Sequence, residues 1–106
     1  MKIADRVTIK SGMYLWDGIT LADDVFLGPN VTFVNVNYPR SKLYPKSFKK
    51  IIIEKFVSVG ANATILSGIQ IGEYALIGAG SVITRSVSAF SLLRGNPARV
   101  VGRVDE

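Results

Sequence analysis

The stretch Val57-Ser58-Val59-Gly60-Ala61-Asn62-Ala63-Thr64-Ile65-Leu66-Ser67-Gly68-Ile69-Gln70-Ile71-Gly72-Glu73-Tyr74-Ala75-Leu76-Ile77-Gly78-Ala79-Gly80-Ser81-Val82-Ile83 decides the fold. Val59, Ile65, Ile71, Ile77 and Ile83 stand six apart, and the series reaches back to Ile53. Four residues after each comes a second, mostly apolar or small residue: Val57, Ala63, Ile69, Ala75, Ser81 and Val87. The N-terminal half keeps the same period with Ile3, Ile9, Leu15, Leu21, Leu27 and Phe33, accompanied by Val7, Met13, Ile19, Val25 and Val31. Ordinary half-buried strands alternate with period two, but that alternation does not lock to six across both halves. A helix is excluded by the period, the β-branched content and ten glycines.

A six-residue unit is a short strand followed by a tight turn, and three such units close a triangular coil. The twelve units therefore predict about four coils of a single-stranded parallel β-helix. Its register residues point inward and stack into a column that no single coil can bury. Gly28, Gly60, Gly72 and Gly78 follow register residues and suit tight corners. Phe33 and Ile53 are 20 residues apart, so residues 34–52, with Pro39 and Pro45 among them, are predicted to project as a loop. A short C-terminal extension follows the last coil.

At 106 residues the chain is one domain, 1–106, with 48% hydrophobic and 20% charged residues, a globular composition. Cysteine and histidine are both absent. There is thus no thiol nucleophile or disulfide, and neither the commonest general base nor the commonest zinc ligand is present. No metal site is expected. Met1 to Arg6 lack the apolar core of a signal peptide, and no apolar run reaches membrane-spanning length. A cytoplasmic protein without membrane partners is expected. The net charge of +5 suits an anionic partner, whether nucleic acid, acidic surface or phosphorylated small molecule. Four coils alone make a marginal prism, so side-by-side trimerisation is expected.

The units Leu27-Gly28-Pro29-Asn30-Val31, Val59-Gly60-Ala61-Asn62-Ala63 and Ile77-Gly78-Ala79-Gly80-Ser81-Val82-Ile83, with the closing Gly95-Asn96-Pro97-Ala98-Arg99, resemble the hexapeptide-repeat acyltransferases. The resemblance implies a left-handed coil, an exception to the right-handed crossover rule, and a homotrimer using acetyl-coenzyme A. Leu15-Trp16-Asp17-Gly18-Ile19, Gly28-Pro29-Asn30-Val31-Thr32-Phe33, and Asn35 followed by Tyr38-Pro39-Arg40-Ser41-Lys42 look most like one branch. Its members acetylate the 3-amino group of nucleotide-linked deoxyamino sugars. The chain departs from that branch in lacking its preceding coils, as a shortened version would. It also carries Val36 where an acid is usual, and Ser88 to Arg94 without proline.

Gly60-Ala61 and Gly78-Ala79 lie 18 residues apart and so stack on one corner, leaving a shallow groove for a pantetheine arm. The alternative is that they are turn residues only. The resemblance places coenzyme A in that groove, between neighbouring subunits, with Arg85 and Arg99 near its phosphates; arginine's donor fork matches such groups. Arg94 and Arg103 read as solvated surface residues.

The resemblance puts Asn35 where many relatives carry a histidine base. An amide orients the attacking amine but does not accept its proton; the competing role is that of a loop-stabilising asparagine. Asp17 is the reserve candidate for a base. Trp16 follows a register residue and is expected to point outward, as a subunit contact or a stacking surface for sugar or base. Tyr38 and Arg40 are candidate substrate contacts. Arg40, Lys42, Lys46, Lys49 and Lys50 interleave with Tyr38, Tyr44 and Phe48, a basic-aromatic mixture also found in nucleic-acid binders. The patch is one loop without a known binding module, so no nucleic-acid partner is expected.

Two functions remain open on the sequence. One is an acetyl-coenzyme-A-dependent N-acetyltransferase acting on a nucleotide-linked sugar or similar amine, by direct transfer without an acyl-enzyme. The other is a non-catalytic trimeric β-helix scaffold, or a degenerate acyltransferase without an acceptor site. The zinc-dependent carbonic anhydrases that share the fold need three histidines and are excluded.

Overall fold

A computed structural model describes residues 1–42 and 49–104. Its thirteen strands are β1 Lys2–Ile3, β2 Thr8–Ile9, β3 Ile19–Leu21, β4 Phe26–Leu27, β5 Thr32–Phe33, β6 Ile51–Ile53, β7 Ser58–Val59, β8 Thr64–Ile65, β9 Gln70–Ile71, β10 Leu76–Ile77, β11 Val82–Ile83, β12 Ser91–Gly95 and β13 Ala98–Arg103. No described residue is helical. The strands form three faces: β1-β3-β6-β9, β2-β4-β7-β10-β12-β13, and β5-β8-β11. Pairing is parallel from coil to coil, as in Phe26 with Ser58 and Val82 with Thr64, except for antiparallel β12–β13. The chain is an all-β, left-handed parallel β-helix.

The register residues form the core as the six-residue period requires. Leu21, Leu27, Ile53, Ile65, Ile71, Ile77 and Ile83 are fully buried, as are the companions Ile19, Val25, Val31 and Val57. At about 25 cal/mol per Å² of apolar area, this continuous column is the main source of stability. In the first coil Ile3 and Ile9 are exposed, because β1 and β2 are the end strands of their sheets.

The register shifts at two places. Ile51 and Ile53 are both buried and pair with Ile19 and Leu21, so the projecting loop ends at residue 50 rather than 52. Thirty-two residues separate Leu21 from Ile53 where a regular coil takes eighteen, so the loop lengthens a single corner by fourteen. The last coil is short instead. Val87 bridges to Ile71 and Leu93 pairs with Ile77, each sixteen residues on. Val87 is thus a register residue stacked on Ile71, not the companion predicted from Ile83.

Trp16 corrects a second expectation. It is buried, at 7% exposure, and its Nε1–H donates to the Phe33 carbonyl at 2.9 Å. Elsewhere in the first coil that ladder position is filled by main chain, with Ala4 N–H donating to Leu21 and Lys10 N–H to Leu27. The third sheet has no first-coil strand, and the indole N–H supplies its donor, closing the edge with a side chain. Gly18 leaves room for the ring, since a Cβ there would collide with it.

The corner between the first and second sheets carries Arg6, Asp24, Phe56, Tyr74 and Phe90, all with φ between 57° and 62°. Arg6 donates two hydrogen bonds to Asp24, and these bonds, with the carboxylate's charge behind them, push the guanidinium pKa further up. Above them the Phe56, Tyr74 and Phe90 rings stack nearly parallel, with centroids 4.9 and 5.0 Å apart.

Candidate functional site

The corner between the second and third sheets is built from the residues after β4, β7 and β10. Gly28, Gly60 and Gly78 stack there because the next coil passes directly over each. A Cβ on Gly60 would lie 2.5 Å from the Ala79 nitrogen and 2.8 Å from its Cα, closer than real atoms pack. Gly28 N–H donates to Val59 O, Gly60 N–H to Ile77 O and Gly78 N–H to Leu93 O, each at 2.8 Å. One residue on, the Ala61 and Ala79 N–H groups donate to no described residue. Ala79 is exposed and Ala61 half-buried. The corner therefore offers two stacked main-chain donors beside a surface without large side chains, which fits the amide-bearing pantetheine arm of coenzyme A.

The groove ends at cations. Leu93 pairs with Ile77, so Arg94 follows Gly78 in the column, and the Arg94 Cβ lies 3.3 Å from where a Gly78 Cβ would stand. Arg99 is the cross-strand partner of Arg94 in the β12–β13 hairpin. Arg94, read from the sequence as a solvated surface residue, thus joins Arg99 at the end of the glycine column. No periodic signal reveals this, because the shortened last coil moves Arg94 into the register by two residues.

Arg85 stands elsewhere. It follows β11 by two residues and belongs to the corner between the third and first sheets, with Ser67 one coil before it. Asn35 emerges at that same corner after β5, and Asp17 lies there in the first coil beside Trp16. Asp17 and Arg85 are exposed and Asn35 is half-buried. The Asn35 carboxamide has no hydrogen-bond partner among the described residues. Its neighbour Asn37 does: its Oδ1 accepts from the Ser67 N–H at 2.8 Å and from the Ser67 Oγ at 3.0 Å, and its Nδ2 donates to the Ser67 carbonyl at 3.4 Å. Sequence reasoning missed Asn37, whose partner lies 30 residues away.

In one chain, then, the predicted residues divide between two corners at opposite ends of the third sheet. Gly60, Ala61, Gly78, Ala79 and Arg99 share one; Asp17, Asn35 and Arg85 share the other. Trp16 contributes to the fold and is largely buried. Tyr38 and Arg40 are exposed on the loop; Tyr44, Pro45, Lys46 and Phe48 lie outside the described residues. An open cleft of about 570 Å³ lined by Glu54, Gln70, Gly72, Glu73 and Ser86 to Ala89 contains none of the predicted residues. The described residues hold no cluster of three potential metal ligands, and no helix long and apolar enough to cross a membrane occurs among them.

Residues 50–85 match the family described as bacterial transferase hexapeptide (six repeats). A curated relative from Aneurinibacillus thermoaerophilus, dTDP-3-amino-3,6-dideoxy-alpha-D-galactopyranose 3-N-acetyltransferase, is 55% identical over 60 residues, which are 57% of this chain and 31% of that protein. A maltose O-acetyltransferase from Clostridium difficile 630 superposes with a TM-score of 0.86 at 28% identity, over 98% of this chain and 59% of that one. A hexapeptide-repeat acetyltransferase from Vibrio cholerae O1 biovar eltor, solved with acetyl-coenzyme A, superposes with a TM-score of 0.83 at 30% identity, over 98% and 60%. The chain thus spans under a third of that curated relative and about three fifths of these solved structures. The resemblance to the hexapeptide-repeat acyltransferases is shown at the level of repeat, sequence and fold.

Proposed function

We propose that the protein is an acetyl-coenzyme-A-dependent N-acetyltransferase whose acceptor is an amine on a nucleotide-linked sugar. The observation that carries the reading is the glycine corner: two stacked main-chain N–H groups at Ala61 and Ala79, without a partner among the described residues, leading to Arg94 and Arg99. The groove accepts the pantetheine amides and the arginines meet the cofactor phosphates. The high identity of its central coils to a 3-amino-sugar N-acetyltransferase supports the acceptor class.

In this reading the acceptor amine attacks the thioester carbonyl carbon, forming a C–N bond and a tetrahedral oxyanion, whose collapse restores the C=O bond as the C–S bond breaks. The thiolate leaves and takes up the amine proton directly or through water. Main-chain N–H groups other than those holding the pantetheine arm stabilise the oxyanion, and Asn35 orients the amine, with Asp17 in reserve as a proton acceptor. Because the acceptor corner and the glycine corner lie at opposite ends of one sheet, a homotrimer completes the site by setting one copy's corner against the next copy's groove.

The test is calorimetric titration of the purified protein with acetyl-coenzyme A, followed by thiol release with dTDP-3-amino-3,6-dideoxygalactose. Binding and acceptor-dependent release are expected. Failure to bind acetyl-coenzyme A would overturn the reading; binding without transfer to any amino-sugar nucleotide would overturn the acceptor and favour the degenerate acyltransferase.

A further inference from the structure

The loop that leaves the second coil is held by a bond pattern that main chain normally makes. Asn37 gives the Ser67 peptide both an acceptor for its N–H, at 2.8 Å, and a donor for its carbonyl, at 3.4 Å, while Ser67 Oγ adds a third contact at 3.0 Å. Among neutral side chains of this length only a carboxamide offers a donor and an acceptor side by side. Asn37 therefore acts as one more ladder position for a coil that the chain has already left. Ser67 is buried, at 8% exposure, so its peptide groups need such partners.

Asn35 lies between this staple and the last regular ladder bond of the coil, from Val34 N–H to Ile65 O at 2.9 Å. The three residues Val34, Asn35 and Val36 are half-buried, and the Asn35 carboxamide is left without a described partner. From this we infer that Asn37 is a positioning residue: by pinning the chain to Ser67 two residues downstream, it fixes where the Asn35 carboxamide stands for the acceptor amine. The inference rests on the role given to Asn35 under the proposed function. It goes beyond that role by making the acceptor corner depend on the third coil. Asn37→Asp keeps the acceptor but sets a carboxylate against the Ser67 carbonyl, whereas Asn37→Ala loses all three bonds. Ala at position 67 keeps both main-chain bonds and removes only the hydroxyl contact.

Two measurements test this on the whole chain. The first is the backbone 15N order parameter of Asn35, expected to fall from the rigid range near ~0.85 to below ~0.6 in Asn37→Ala while the core strands stay unchanged. An unchanged value at Asn35 overturns the inference whatever the catalytic activity. The second is steady-state kinetics with acetyl-coenzyme A and dTDP-3-amino-3,6-dideoxygalactose. Asn37→Ala is expected to lower kcat roughly tenfold to a hundredfold without changing acetyl-coenzyme A affinity, since misplacing an orienting group costs rate rather than cofactor binding. Ser67→Ala is expected to keep nearly the full kcat. The Asn35→Ala, Asn37→Ala double variant should be no slower than Asn35→Ala alone, because residues acting as a unit are not additive. If Asn37→Ala slows the Asn35→Ala protein as much as the wild type, the two act separately and the inference fails. If Asn35→Ala transfers at the wild-type rate, the role of Asn35 itself fails.

Discussion

The two corners that flank the second sheet turn with the same left-handed backbone and are filled in opposite ways. One carries Arg6, Asp24, Phe56, Tyr74 and Phe90; the other carries Gly12, Asn30, Asn62 and Gly80 at the equivalent turn position. A side chain held at positive φ costs roughly 1–2 kcal/mol relative to glycine, and the first corner bears that cost at Arg6, Phe56, Tyr74 and Phe90. Ring stacking from Phe56 through Tyr74 to Phe90 offsets it. In the third and fourth coils the residue just before this position has an N–H that donates to no described residue: Lys55 and Glu73 on one side, Ala61 and Ala79 on the other. Over the first pair, Lys55 Nζ lies 3.7 Å from Glu73 Oε2, and the rings stand alongside. Over the second there is only a methyl group on each residue. The backbone creates the same opportunity twice, and the side chains close one corner and leave the other open to a ligand.

The largest effect is expected where the open corner cannot accept a side chain at all. Gly60→Val forces a branched side chain against the Ala79 backbone, which flexible neighbours cannot relieve. A loss of about 3 kcal/mol is expected from overpacking of this kind, read as a lower urea midpoint at unchanged m-value, together with loss of acetyl-coenzyme A binding. A variant of wild-type stability would show that the coils do not approach as closely at this corner as the structure has them.

At the closed corner a smaller effect with an unusual order is expected. Tyr74→Ala removes two ring contacts, worth about 0.5–1.5 kcal/mol each beyond their buried area, yet keeps a Cβ at φ 62°. Tyr74→Gly removes the same contacts and relieves the left-handed strain. Thermal melts should therefore find the Gly variant about 1 kcal/mol more stable than the Ala variant, the reverse of ordinary strand positions. Both variants should bind acetyl-coenzyme A as the wild type does. A Gly variant less stable than Ala would remove the left-handed turn from the comparison, and a loss of cofactor affinity would break the division of labour between the corners.

What the sequence makes legible follows the same division. The six-residue period is a local signal repeated many times, so strand positions, inward column and stacked Gly-Ala pairs are all readable from it. It fails where the chain departs from one coil and chooses a partner in another. Ile51 rejoins the coil two residues before the predicted end of the loop because burying it against Ile19 outweighs leaving it in a projecting segment. The short last coil moves Val87 and Arg94 by two positions, and nothing in the apolar pattern marks a deletion at a corner. Trp16 has the outward parity of its neighbours, but an unfilled ladder position at Phe33 draws the indole inward. Asn37 carries no motif at all; its role appears only once Ser67 is beside it. The glycine corner is legible because it repeats, and the Asn37–Ser67 contact is not because it occurs once.

The smallest effect lies just beneath the open corner. Inside the turn, the companion column narrows from Val31 through Ala63 to Ser81, all buried. The Ser81 Oγ is fully enclosed with no hydrogen-bond partner among the described residues, 3.6 Å from where a Gly78 Cβ would stand, so it faces the glycine corner from within. A buried hydroxyl that has given up water for nothing lowers stability by about 1–3 kcal/mol. Ser81→Ala removes that group and leaves only a small change in volume, so the variant should be more stable by about 1 kcal/mol, seen as a higher urea midpoint. If Ser81→Ala is destabilising, the hydroxyl has a partner and the open corner is supported from inside by a polar contact. If it is stabilising, that corner rests on main-chain bonds and close approach alone, in contrast to the ring-stacked corner opposite.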